Sequence, residues 1–112
     1  MKYLMFVCVD PELVTPESTK DMAPDTLAWV DEMDGRGVRV QGNRLQEIST
    51  ATTVRVRGGE VVLADGPFAE TKELIGGFDI LECADLDEAI EVASKHPVAQ
   101  IGSLEVRPFA ED

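Results

Sequence analysis

The residues best placed to do chemistry lie in one run, Asp65-Gly66-Pro67-Phe68-Ala69-Glu70-Thr71-Lys72-Glu73, which follows the apolar stretch Val61-Val62-Leu63-Ala64. Asp65 is a carboxylate at the end of an apolar strand, and a carboxylate beside apolar surface can serve as a general acid or base. An Asp before Gly is equally a turn former, whose side chain accepts backbone N–H groups. Lys72 could hold a ligand carboxylate or phosphate, or neutralise Glu70 or Glu73. Loops on a rigid sheet are where binding groups concentrate. The expected ligand site is therefore Asp65 with Phe68, Lys72, Thr52 and Arg55, serving a small polar or anionic molecule.

The other reactive residues carry weaker signals. His96 is the only histidine and precedes Pro97. At a helix C-terminus its cationic form suits the dipole, so a capping or surface role is expected. Cys8 and Cys83 lie in separate apolar runs and form no C-x-x-C pair. They read as two buried thiols in a reducing cytoplasm. One His and two separated Cys argue against a transition-metal site. Gly76-Gly77 leads into a strand rather than a helix, so it is no phosphate loop. No nucleophile elbow is visible. No cofactor is expected.

The elements that must position these groups follow from periodicity. Residues 3–9 are apolar at nearly every position, as in a strand covered on both faces. Thr15-Pro16-Glu17 starts a helix, with Thr as cap and Pro at the first helical position. Met22, Trp29, Val30 and Met33 recur at helical spacing, and Pro24 kinks or splits that helix. Val38 to Gln41 is a short strand ended by Gly42-Asn43. Thr52–Arg57 and Glu60–Asp65, separated by Gly58-Gly59, predict a two-residue hairpin. Its register pairs Arg57 with Glu60, Val56 with Val61, Val54 with Leu63 and Thr52 with Asp65. One face then carries Val54, Val56, Val61 and Leu63, and at its far end Thr52 and Asp65. Phe78 to Cys83 is another strand. Asp85 caps a helix to about Lys95, with Leu86, Ala89, Ile90 and Ala93 inward. Ile101 to Arg107 is the last strand.

This order predicts an α+β domain of ferredoxin-like type spanning residues 1–112, with helices on one face of a mainly antiparallel sheet. The first strand reads as covered on both faces, yet the helices cover only one. A second copy is the expected cover, giving a homodimer. Formal net charge is −12, from 22 acids and 10 bases. Such a field disfavours nucleic acid and anionic membrane as direct partners. Half of the bases fall in residues 36–57, as Arg36, Arg39, Arg44, Arg55 and Arg57. They read as cross-strand pairing or a local anion-binding surface. No apolar run has the length of a membrane helix. The opening apolar stretch lacks a small-residue cleavage site, so a cytoplasmic location is expected.

The chain resembles the YCII-related superfamily, in its DGPF branch. The resemblance rests on Met1 to Met5, Thr52-Thr53-Val54-Arg55, Asp65 to Glu73, Gly76-Gly77-Phe78, Leu86-Asp87-Glu88-Ala89 and Glu105-Val106-Arg107-Pro108. It implies a dimeric α+β barrel of ferredoxin-like subunits. Some YCII-like members have a His–Asp pair proposed as catalytic, with the His on the first helix. This chain has no histidine there. The resemblance also implies an accessory regulatory role with a sigma factor.

Three functions compete. A small-molecule binding or sensing homodimer would hold its ligand near the Asp65–Lys72 loop. An enzyme would use Asp65 as general acid or base on a small polar or anionic substrate. A transcriptional accessory would contact a sigma factor through its acidic surface. The residues favour binding, because they contain no catalytic constellation.

Overall fold

A computed structural model of the chain describes residues 1–68 and 73–111. Four strands form one antiparallel sheet: β1 (Lys2–Val9), β2 (Arg39–Arg44), β5 (Leu74–Glu82) and β6 (Ser103–Pro108), in the order β2-β5-β1-β6. A second, two-stranded sheet pairs β3 (Thr52–Arg57) with β4 (Glu60–Asp65). The helices are α1 (Pro16–Thr19), α2 (Met22–Gly35) and α3 (Leu86–Ser94). With β3–β4 set aside, the sequence of elements is βαββαβ, the ferredoxin-like arrangement.

Local chemistry sets the helix ends. Thr15 Oγ1 accepts from Ser18 N–H and Ser18 Oγ accepts from Thr15 N–H, closing a capping box. The Pro24 break takes the form of a split: α1 ends at Thr19, α2 starts at Met22, and Pro24 falls in its first turn, where no intrahelical N–H is required. Asp85 caps α3 by accepting from Glu88 N–H.

Tyr3, Met5, Leu81 and Cys83 on the sheet meet Trp29, Met33, Ala89, Val92 and Ala93 of the helices to form the core. The inward face of α3 differs from the expected one. Val92 is buried, whereas Leu86 and Ile90 are about half exposed. Ala89, Val92, Ala93 and His96 make the continuous stripe, because the helix must present Val92 O to Trp29 and bring its end over the sheet. β2 also runs three residues beyond Gln41. Gly42 continues it because a Cβ there would overlap the Asp79 carboxylate.

The hairpin forms in the expected register, Thr52 opposite Asp65 and Arg57 opposite Glu60. It does not join the main sheet. It projects as an arm, leaving Val54 61% and Val61 67% exposed on its apolar face. The opposite face of the main sheet, with Leu4 and Phe6 beside Ile80 and Phe78, has no helix on it. The chain is accordingly extended. Its accessible surface is 7727 Å², against about 6,100 Å² for a compact protein of its mass. Its radius of gyration is 15.8 Å, where about 13 Å is usual for this length.

Candidate functional site

Strand alternation places Asp79 on the helix side of β5, between Gly77 and Leu81, where apolar residues belong. It is buried. Arg39 compensates it: Nε donates to Asp79 Oδ1 at 2.8 Å, NH1 reaches Asp34 Oδ1 at 3.3 Å, and NH2 donates to Gly42 O at 3.1 Å. Burial pushes the Asp79 carboxyl above its usual range, against the pull of Arg39.

His96 is also buried, contrary to the expected surface position. It follows the end of α3 and caps the 3₁₀ turn Pro97–Gln100, with Nδ1 accepting from Val98 N–H at 3.1 Å. That bond leaves the ring proton on Nε2. Burial lowers its pKa to about 4, so the imidazole is neutral at pH 7 rather than a cation on the helix dipole. Trp29 packs edge-on against it, ring centroids 4.8 Å apart, and donates Nε1–H to Val92 O at 3.0 Å.

These groups meet at a cavity of ≈ 290 Å³ between α2 and the sheet. Val7, Val9, Met22, Val30 and Val98 make its walls apolar, and Asp79, Arg39, His96 and Trp29 line it. A second hollow of ≈ 520 Å³ adjoins it and shares Met22, Trp29, His96 and Ile101. That hollow is larger but is a charged groove, with Lys20, Asp21, Asp25, Glu32 and Lys95. Ligand sites are typically apolar with a few convergent polar groups, so the smaller cavity is the better candidate.

The sequence-predicted site lies elsewhere. Thr52 and Asp65 are brought together as cross-strand partners at the base of the arm. Thr53 Oγ1 donates to Gly66 O at 2.9 Å, and Gly66 N–H donates to Ala51 O at 2.7 Å, fixing the turn after Asp65. Arg55 pairs with Val62 on the other face, and Phe68 is 81% exposed. Lys72 lies outside the described residues. Neither cavity is lined by Thr52, Arg55, Asp65 or Phe68. The strands that flank the arm in sequence, β2 and β5, meet beside the apolar cavity. Leu45 N–H bonds Gly76 O, and Arg44, Gly76 and Gly77 line the cavity. Sequence reading missed Asp79, Arg39 and the burial of His96. The available signal was an acid at the same parity as Leu81 and Cys83, with an arginine on a neighbouring strand.

Cys8 and Cys83 are free thiols, and burial raises the pKa of both. Among the described residues no group of three or more His, Cys, Asp or Glu side chains is arranged to hold a metal. Among the described residues no helix is long and apolar enough to cross a membrane.

Comparison with known proteins places this architecture. The YCII-related domain family matches residues 1–111. The chain belongs to that family. An uncharacterised protein of Rhizobium meliloti (strain 1021) is 39% identical, over 76% of this chain and 82% of the relative. Among solved structures, this YCII-related domain is similar to 5-chloro-2-hydroxyhydroquinone dehydrochlorinase (TftG) of Burkholderia phenoliruptrix AC1100, in complex with 2,5-dihydroxybenzoquinone. The TM-score is 0.58 at 16% identity, covering 100% of this chain and 96% of that one. At that identity the likeness is one of fold: a mixed α+β domain with an antiparallel sheet.

Proposed function

We propose that this YCII-related domain binds a small molecule and works as a homodimer, with the ligand in the apolar cavity between α2 and the sheet. The observation that carries this reading is the cavity itself: ≈ 290 Å³, apolar-walled, with two buried polar side chains, Asp79 and His96, on its lining. Buried polar groups in an apolar wall fix the orientation of a guest. The structural neighbour TftG was solved with a small cyclic compound, which supports small-molecule binding in this type of fold.

The dimer is supported by surface left uncovered in one chain. The excess over a compact protein is about 1,600 Å² per chain, roughly twice what each partner buries in a standard interface and within the range of obligate homodimers. The open sheet face and the apolar side of the arm are the natural contributors. A dimeric α+β barrel covers such a face with the same face of a second copy.

Titration of the protein with small cyclic compounds, followed by fluorescence of Trp29, tests the cavity. Trp29 is the only tryptophan and lines the cavity, so occupancy changes its emission. A Trp29 signal unmoved by every compound that binds elsewhere on the protein would count against this site. Light scattering tests the dimer: a particle of 12.2 kDa at micromolar concentration would reject it.

A further inference from the structure

The cavity's unused hydrogen-bonding groups define what fits. Three buried residues on its lining carry polar side chains: Trp29, Asp79 and His96. Trp29 Nε1–H is taken by Val92 O. Asp79 Oδ1 is taken by Arg39 Nε–H, and all three guanidinium nitrogens of Arg39 are engaged. His96 Nδ1 is taken by Val98 N–H. On these three buried residues two atoms remain without a protein partner among the described residues: Asp79 Oδ2, an acceptor, and His96 Nε2–H, a donor. Neither is fully enclosed: among the described residues Asp10 Oδ2 is the one enclosed side-chain atom without a partner.

Charge narrows the guest further. Arg39 balances Asp79, and His96 is neutral. An ion entering the buried part of the cavity would lose its hydration and meet no uncompensated opposite charge there; the one lining cation without an ion pair among the described residues, Arg44, is exposed at the end of β2. Its volume of ≈ 290 Å³ equals the share of about ten waters, so the guest is compact.

We infer that the apolar cavity takes a compact, uncharged molecule bearing both a hydroxyl and a carbonyl group, the hydroxyl donating to Asp79 Oδ2 and the carbonyl accepting from His96 Nε2–H. This rests on the cavity being the ligand site and adds the class of ligand. His96 acts in it as a fixed donor, since its other nitrogen is held by Val98 N–H.

The test has two parts. A ¹⁵N spectrum of the histidine ring at pH 7 should show a neutral ring protonated at Nε2; a ring protonated at Nδ1, or an imidazolium, overturns the inference. The protein is then titrated with 2-, 3- and 4-hydroxycyclohexanone, cyclohexanone, cyclohexanol, cyclohexanecarboxylate and cyclohexylammonium. The Trp29 indole N–H and the His96 Nε2–H resonances report binding. At least one hydroxycyclohexanone should bind about tenfold more tightly than cyclohexanone or cyclohexanol, the effect of one further hydrogen bond of about 1.4 kcal/mol. His96→Phe should remove that preference, and Asp79→Asn should reduce it. If the ions or the singly substituted rings bind equally well and shift Trp29 together with the methyl resonances of Val30 and Val98, which line this cavity and not the adjoining groove, the ligand class is wrong and the cavity stands. If no compound shifts Trp29, the cavity reading fails and the inference with it.

Discussion

Asp79 and His96 are the two residues on which most chemistry at the cavity turns, and both are held toward their neutral forms by burial. For His96 the folded pKa of about 4 lies below the unfolded value of 6.5. The unfolded chain takes up a proton first, so stability should fall as pH drops from about 6.5 to about 4 and level off below. The shift corresponds to roughly 3 kcal/mol. Urea denaturation across that range should show the loss in the native protein and a shallower one in His96→Gln. Asp79 works in the opposite sense. Its folded pKa is raised, so its contribution is present below the unfolded value of 3.8 and declines as pH rises through the folded value. Arg39→Met leaves that carboxylate buried without its cation. It should cost roughly 3 kcal/mol at pH 7 by chemical denaturation. Part of the loss should return as the pH is lowered and Asp79 protonates. Gly42→Ala should also destabilise, by about 1–3 kcal/mol, because the new methyl group meets the Asp79 carboxylate and the backbone of Phe78. A melting temperature unchanged in Gly42→Ala would mean that Asp79 can move away freely.

Elements differ in how far they depend on the rest of the chain. α3 carries its own start signal, and Asp85→Ala should lower stability by about 1 kcal/mol through loss of the cap to Glu88 N–H, measured by thermal melting. Its buried side was harder to read. Leu86 and Ile90 have the correct spacing for an inward stripe, but Val92 and His96 win because they meet Trp29 and the cavity. The arm is the reverse case. Its register was legible to the residue, since a Gly-Gly turn leaves one way to pair the strands. Its destination was not, because a two-stranded ribbon has the same alternation whether it lies in a sheet or stands off it. Val56→Asp combined with Val61→Lys changes only exposed positions of a single chain. If the arm's apolar face meets a second copy, the pair should convert the protein from dimer to monomer in light scattering, with the far-UV circular dichroism preserved. A dimer that survives this double substitution would remove the arm from the interface.

For the whole molecule the imbalance is between core and surface. One face of the four-stranded sheet is covered by helices and forms a core of ordinary composition. The other face leaves Leu4, Phe6, Phe78 and Ile80 only partly buried, and the arm leaves Val54, Val56, Val61 and Leu63 in water, which a single chain of this size tolerates poorly. A dimer covering about 1,600 Å² of each chain would restore the balance. Its thermal midpoint should then rise with protein concentration, as linkage requires for a coupled dimer. A midpoint independent of concentration over two decades would indicate that each chain is stable alone. The strongly acidic charge of −12 opposes that association, so raising the salt concentration should strengthen it.

The sequence by itself determined the βαββαβ order, the caps at Thr15 and Asp85, an interruption at Pro24 left open between kink and split, and the pairing of the hairpin. Each follows from interactions within a few residues or from strand periodicity. It also drew attention to Asp65, because an acid before Gly-Pro after an apolar run stands out locally. The cavity was decided only in three dimensions. Asp79 and Arg39 are 40 residues apart in the chain and meet because β2 and β5 pair. His96 becomes neutral and buried because α3 delivers it against Trp29, 67 positions earlier in sequence. Desolvation depends on what covers a group from all sides, and that cover comes from segments whose order along the chain does not reveal their contact.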